Sequence, residues 1–243
     1  MLSCIARAVC LSLALLGLVG AAVADDLADF NAAVEKTESH NRVAIGYLRT
    51  GNLDLALLEI DRLREAWGAL QQRFAGKRPD IFDGIALYGT TWTGVNARLV
   101  AVDLMVKMGK PDAVRQSLEG IRGDFYDLRK AAGIVVLADC VRDANAIMGA
   151  LMVYDDQTLD WTKPETSTGV AGKASAYGAT LDRCDGIAGE PIHASPELRR
   201  LIDGAKASLA LIPTAIATRD GDLLHRVLIE LHSFDNLLAF RFG

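Results

Sequence analysis

Apolar side chains return once per helical turn along nearly the whole of this 243-residue chain. Leu53, Ala56, Ile60, Leu63, Trp67, Leu70 and Phe74 recur at alternating steps of three and four, which places them on one side of an α-helix. The charged Asp61, Arg62, Arg64 and Glu65 fall off that seam. Ile81, Ile85, Tyr88, Trp92, Val95, Leu99, Val102 and Val106 keep the same rhythm, and Leu27, Phe30, Val34, Ala44 and Leu48 carry a looser version between Asp25 and Thr50. No segment sustains period-two alternation, so no sheet is expected. The fold expected is all-α: about seven amphipathic helices in antiparallel hairpins, as a helical bundle or a short hairpin stack.

Further helices follow the same logic. Val114, Leu118, Ile121, Phe125 and Leu128 open one that is expected to reach about Tyr154, with a break near Gly120–Gly123 or at Gly133. Residues 155–195 are the least regular stretch. Within them Val170, Ala174, Tyr177, Leu181 and Cys184 mark a short helix closed by Gly186, Gly189 and Pro191. Ser195-Pro196-Glu197 is a helix start, with serine as cap and proline in the first turn. That helix is expected to run to about Arg219 with a kink at Pro213. Leu224, Val227, Leu231, Phe234 and Leu238 define the last helix, Asp222 to Phe242.

Three turns share one design: Arg49-Thr50-Gly51-Asn52, Lys107-Met108-Gly109-Lys110-Pro111 and Arg219-Asp220-Gly221-Asp222. A cation suits the negative end of each helix dipole, and each glycine is expected to take the left-handed conformation that closes a helix. The stretch Tyr47-Leu48-Arg49-Thr50-Gly51-Asn52-Leu53-Asp54-Leu55-Ala56-Leu57 resembles the middle of a tetratricopeptide repeat. The likeness covers about one repeat, and Gly51, Gly109 and Gly221 are not spaced at multiples of about 34 residues. It reflects shared hairpin packing rather than membership of that family.

Residues 1–24 read as an address rather than as fold. They carry Arg7 and no acidic residue, and Ala8 to Val23 is apolar or small apart from Ser12. Ala22-Val23-Ala24 is a small-x-small cleavage site just before Asp25-Asp26. This is the pattern of a cleaved secretory signal. Its apolar run is about 16 residues, shorter than the roughly 20 needed to span a bilayer. Residues 25–243 are then expected to form a single helical domain in the bacterial periplasm, with no membrane span.

Losing Arg7 takes the formal net charge from -5 to -6, which argues against a general nucleic-acid partner. The 51% hydrophobic content excludes a disordered acidic chain. Of four cysteines, Cys4 and Cys10 leave with the signal. Cys140 and Cys184 remain and are expected to pair in an oxidising compartment, tying down the connection around 155–195.

The residues able to carry chemistry are few. His225 and His232 share one side of the last helix, each with an acid three residues away, Asp222 and Asp235. An acid that orients an imidazole is how metal and haem ligands are held, and it is also an ordinary surface ion pair. His40 lacks the Glu-x-x-His spacing of di-iron bundles. Met105 with Met108, and Met148 with Met152, share helix faces. Such thioether pairs can hold copper(I), or simply fill core. Without a Cys-x-x-Cys-His motif, haem would be non-covalent. Trp161 lies in the irregular stretch, where a tryptophan either contacts a ligand or partner or plugs the core. Gly89-Thr90-Thr91-Trp92-Thr93-Gly94 offers small residues for close helix approach or for lining a cavity. Nucleophile elbows, phosphate-cradling glycine loops and zinc-protease spacings are missing from the sequence. The expectation is a non-enzymatic periplasmic binding or accessory protein, taking a partner protein or small ligand in a groove formed with the tied connection. The alternative is a copper- or haem-binding bundle using His225, His232 or His40 with the methionine pairs.

Overall fold

The computed structural model describes the backbone of residues 2–155 and 159–243, with side chains from residue 26 onward. The expected signal and its cleavage point after Ala24 lie outside the residues with described side chains. The described residues form nine α-helices and no strand. They are α1 (Leu2–Arg49), α2 (Leu53–Phe74), α3 (Leu87–Lys107), α4 (Pro111–Ala131), α5 (Leu137–Leu151), α6 (Pro164–Ile187), α7 (Pro196–Leu209), α8 (Ile212–Thr218) and α9 (Gly221–Phe242). Single 3-10 turns occur at Asp80–Phe82 and Met152–Tyr154. The chain is all-α, as its periodicity requires.

The single domain expected over 25–243 divides into two compact units, Met1–Ile134 and Val135–Gly243. The first holds two hairpins, α1 with α2 and α3 with α4, and α4 also lies against α1. Every residue of the α2 seam after Leu53 is buried, from Ala56 to Phe74. Aromatic rings fill the centre. Phe30 meets Phe74 and Phe82 edge-on, and Trp67 stands 5.0 Å from Trp92. In the second unit α5 pairs with α6, and α9 packs on α7 and α5. Met148, Leu151, Tyr177, Leu181, Leu201 and Leu228 are buried there.

Two expected helices are each split, which accounts for nine instead of seven. α4 stops at Gly133, where φ is 68°, and Ile134 N–H bonds back to Arg129 O at 2.9 Å. Gly120 stays inside α4, where a Cβ would collide with the Arg98 guanidinium. The helix expected from Ser195 to Arg219 breaks after Leu209, because Pro213 has no N–H to continue the ladder and sits instead in the first turn of α8. Conversely, the short helix around Cys184 is longer than its apolar seam implies, 24 residues from Pro164 to Ile187.

Gly51 and Gly109 take the left-handed conformation, with φ of 76° and 64°. The third turn departs from that design, for Arg219 is the left-handed residue at φ 54°. Asp220 caps α9 by accepting from Leu223 N–H at 2.8 Å, so Gly221 becomes its first residue. The turn is thereby displaced two residues, onto a side chain that pays a steric cost there.

An 18-residue window within Pro196–Thr218, across α7 and α8, has a mean hydropathy of 1.2 and meets the length and composition of a membrane span. The inward residues Leu198, Leu201, Ile202 and Ala205 belong to the core of the second unit.

Candidate functional site

Cys140 and Cys184 form the expected disulfide, with Cα atoms 5.4 Å apart and both residues buried. It joins α5 to α6. Closing a loop over a separation of 44 residues is worth about 4 kcal/mol in the chain-entropy treatment.

The histidines are dispersed. His225 Nδ1 lies 2.5 Å from Asp155 Oδ1, in the turn after Met152–Tyr154. The acid on His225 is thus Asp155, 70 residues away, in place of Asp222. Asp235, expected beside His232, is buried and accepts from the Tyr177 hydroxyl at 3.2 Å, while His232 is exposed. His40 Nδ1 is 2.8 Å from Glu59 Oε2, and the other oxygen of Glu59 accepts from Arg62 at 2.6 Å. Among the described residues no three His, Cys, Asp or Glu side chains gather as a metal-holding group.

Each methionine pair is divided between core and edge. Met148 is fully buried and Met152 packs at the border of the same core. Met105 borders the first unit's core and accepts from Ser117 Oγ at 3.6 Å, whereas Met108 is exposed. Trp161 is half-buried against the second unit's core. The hydroxyls of Thr90, Thr91 and Thr93 bond back to their own helix. The flanking Gly94 admits Asp124 of α4, which holds Arg98 through two hydrogen bonds of 2.7 and 3.1 Å. That segment serves close helix approach.

The second unit also contains an open apolar cavity of about 580 Å³ that no single sequence signal marked. Its floor is a face of α6 beside the core seam, where Ala171, Ala174, Ser175 and Gly178 follow one another at helical spacing. With side chains this small, the helix surface lies low. Leu209, Ile212, Pro213 and Ile216, around the break between α7 and α8, make the walls. A straight helix through Pro213 would not supply both walls, so the proline break shapes the cavity. The disulfide tethers α6, the floor helix, to α5.

Lys206 is the one charged residue lining it. Its ammonium is paired with Asp182 at 2.5 Å, which raises its pKa, and it also feels Asp185 and Asp203. Burial raises Asp185, but the Arg199 guanidinium, with His193 and Lys206, outweighs that and holds its carboxyl below the usual range. The alkyl stem of Lys206 can therefore line the cavity while its charge is held by carboxylates.

No protein family, curated protein or solved structure matches the chain.

Proposed function

We propose that this is an exported, non-enzymatic helical binding protein of the periplasm, and that its second unit takes a small apolar ligand between α6 and the α7–α8 break. The observation that carries the reading is the cavity itself. Its 580 Å³ falls within the range of about 300–1,000 Å³ that small-ligand sites occupy. Its lining is apolar except for Ser175 and the paired Lys206. Export rests on the leader-like residues 1–24, and the Cys140–Cys184 bridge is compatible with an oxidising compartment.

Binding of copper or haem by His225, His232, His40 and the methionines has less behind it. His225 and His40 are each engaged by a carboxylate, His232 stands alone on the surface, and no donor set converges among the described residues. The test is a thermal-shift screen of apolar small molecules against the wild-type chain and Ser175→Trp. Ser175 is exposed on the floor of the cavity, so the indole would fill the space without entering the core. Stabilisation of the wild type that is lost in the variant supports the reading. No stabilising compound, or equal stabilisation of both proteins, counts against it.

A further inference from the structure

The lining also defines a class of ligand, an inference that rests on the cavity reading above. Among the described residues no aromatic side chain lines the cavity, so they offer no face on which a planar ring could stack. Small residues below and aliphatic residues at the sides suit a flexible saturated chain. The polar end is decided by charge around Lys206. Asp182 pairs with that ammonium, and the charges of Asp185 and Asp203 act on it from further away. Arg199 is engaged by Asp185 and, at 3.7 Å, by Asp203, and Glu190 acts on it as well. His193 lies 3.1 Å from Asp185. Four carboxylates thus face Lys206, Arg199 and one histidine. An incoming anion meets a lysine already neutralised and an excess of negative charge. An uncharged head does not meet that difficulty. The ammonium has three donors, of which Asp182 needs one, and the Ser175 hydroxyl can donate or accept.

We propose that this cavity binds a single aliphatic chain ending in an uncharged hydrogen-bonding group, an alcohol or a primary amide, and selects against the same chain ending in a carboxylate. Asp182 is the specificity determinant, because it occupies the lysine that would otherwise attract a carboxylate.

The experiment is a calorimetric titration of the full chain with decanol and decanoate. Both are kept below their micelle thresholds, at mildly alkaline pH where a free histidine is uncharged. Decanol is expected to bind about tenfold more tightly than decanoate, the ratio that about 1.4 kcal/mol produces. Ser175→Trp should abolish the binding. Asp182→Asn should strengthen decanoate binding several-fold and leave decanol little changed. Decanoate binding the wild type as tightly as decanol, yet still blocked by Ser175→Trp, overturns the selectivity and leaves the cavity reading standing. So does an unaltered decanol-to-decanoate ratio in Asp182→Asn. If no probe binds, or Ser175→Trp blocks none, both readings fall together.

Discussion

Tyr177 is fully buried, and its hydroxyl donates to an aspartate, Asp235, that is only 4% exposed. Burial, followed by the nearby charge of Asp235, pushes the phenol far above its ordinary range. Burial also raises Tyr88 to about 12, against smaller opposing effects of Arg78 and Trp92. An unfolded tyrosine ionises near pH 10, so the folded chain must stay protonated where the unfolded one does not. The stability linked to these phenols is complete below about pH 10 and is lost as pH rises towards 12. Melting temperature should therefore fall across that window, and Tyr88→Phe should flatten part of the slope. Glu38 and Arg129 are a second buried pair, their side chains 4% and 3% exposed, joined at 3.0 Å between α1 and α4. Arg129→Met strands the glutamate and should cost about 3–5 kcal/mol in denaturant unfolding. Arg219→Gly should do the reverse, raising stability by roughly 1 kcal/mol through relief of its left-handed backbone. None of these pairings was legible in the sequence. Glu38 and Arg129 lie 91 positions apart, and His225 and Asp155 lie 70 apart. Helical spacing identifies neighbours three or four residues away and is silent on partners from another helix.

Individual helices were far easier to read than their partners. The α2 seam, the serine cap of α7 and two of the three glycine turns stand where periodicity and capping place them. The same method missed the cavity because its floor is made by what α6 lacks. Ala171, Ser175 and Gly178 read as a weak, partly polar helix face, and only the wall beyond Leu209 turns that face into a recess. The disulfide should hold the floor helix firmly. Replacing both cysteines with alanine is expected to lower unfolding free energy by up to about 4 kcal/mol, measured against the oxidised protein. Close packing elsewhere depends on another small residue. A Cβ on Gly204 of α7 would lie 2.6 Å from Cζ of Phe234 on α9. Gly204→Ala should therefore destabilise despite its better helix propensity, and Phe234→Leu in the same chain should restore part of the loss.

At the scale of the whole molecule, apolar rhythm established helices but not which of them share a core. The helices gather into two compact units, and the division falls just after Gly133, where the sequence places a helix break. The proposed export is tested at this scale as well. If the chain is exported as proposed, its intact mass after expression in a bacterial host should correspond to a chain beginning at Asp25 in the periplasmic fraction, and a full-length mass in the cytoplasm would contradict it. The central claim concerns the second unit, and the most direct measurement is photolabelling with an uncharged aliphatic diazirine followed by peptide mapping. Label confined to the α6 floor and to the chain around the α7–α8 break, and displaced by decanol, is the predicted result. Label spread over the surface, or concentrated on the first unit, would contradict it.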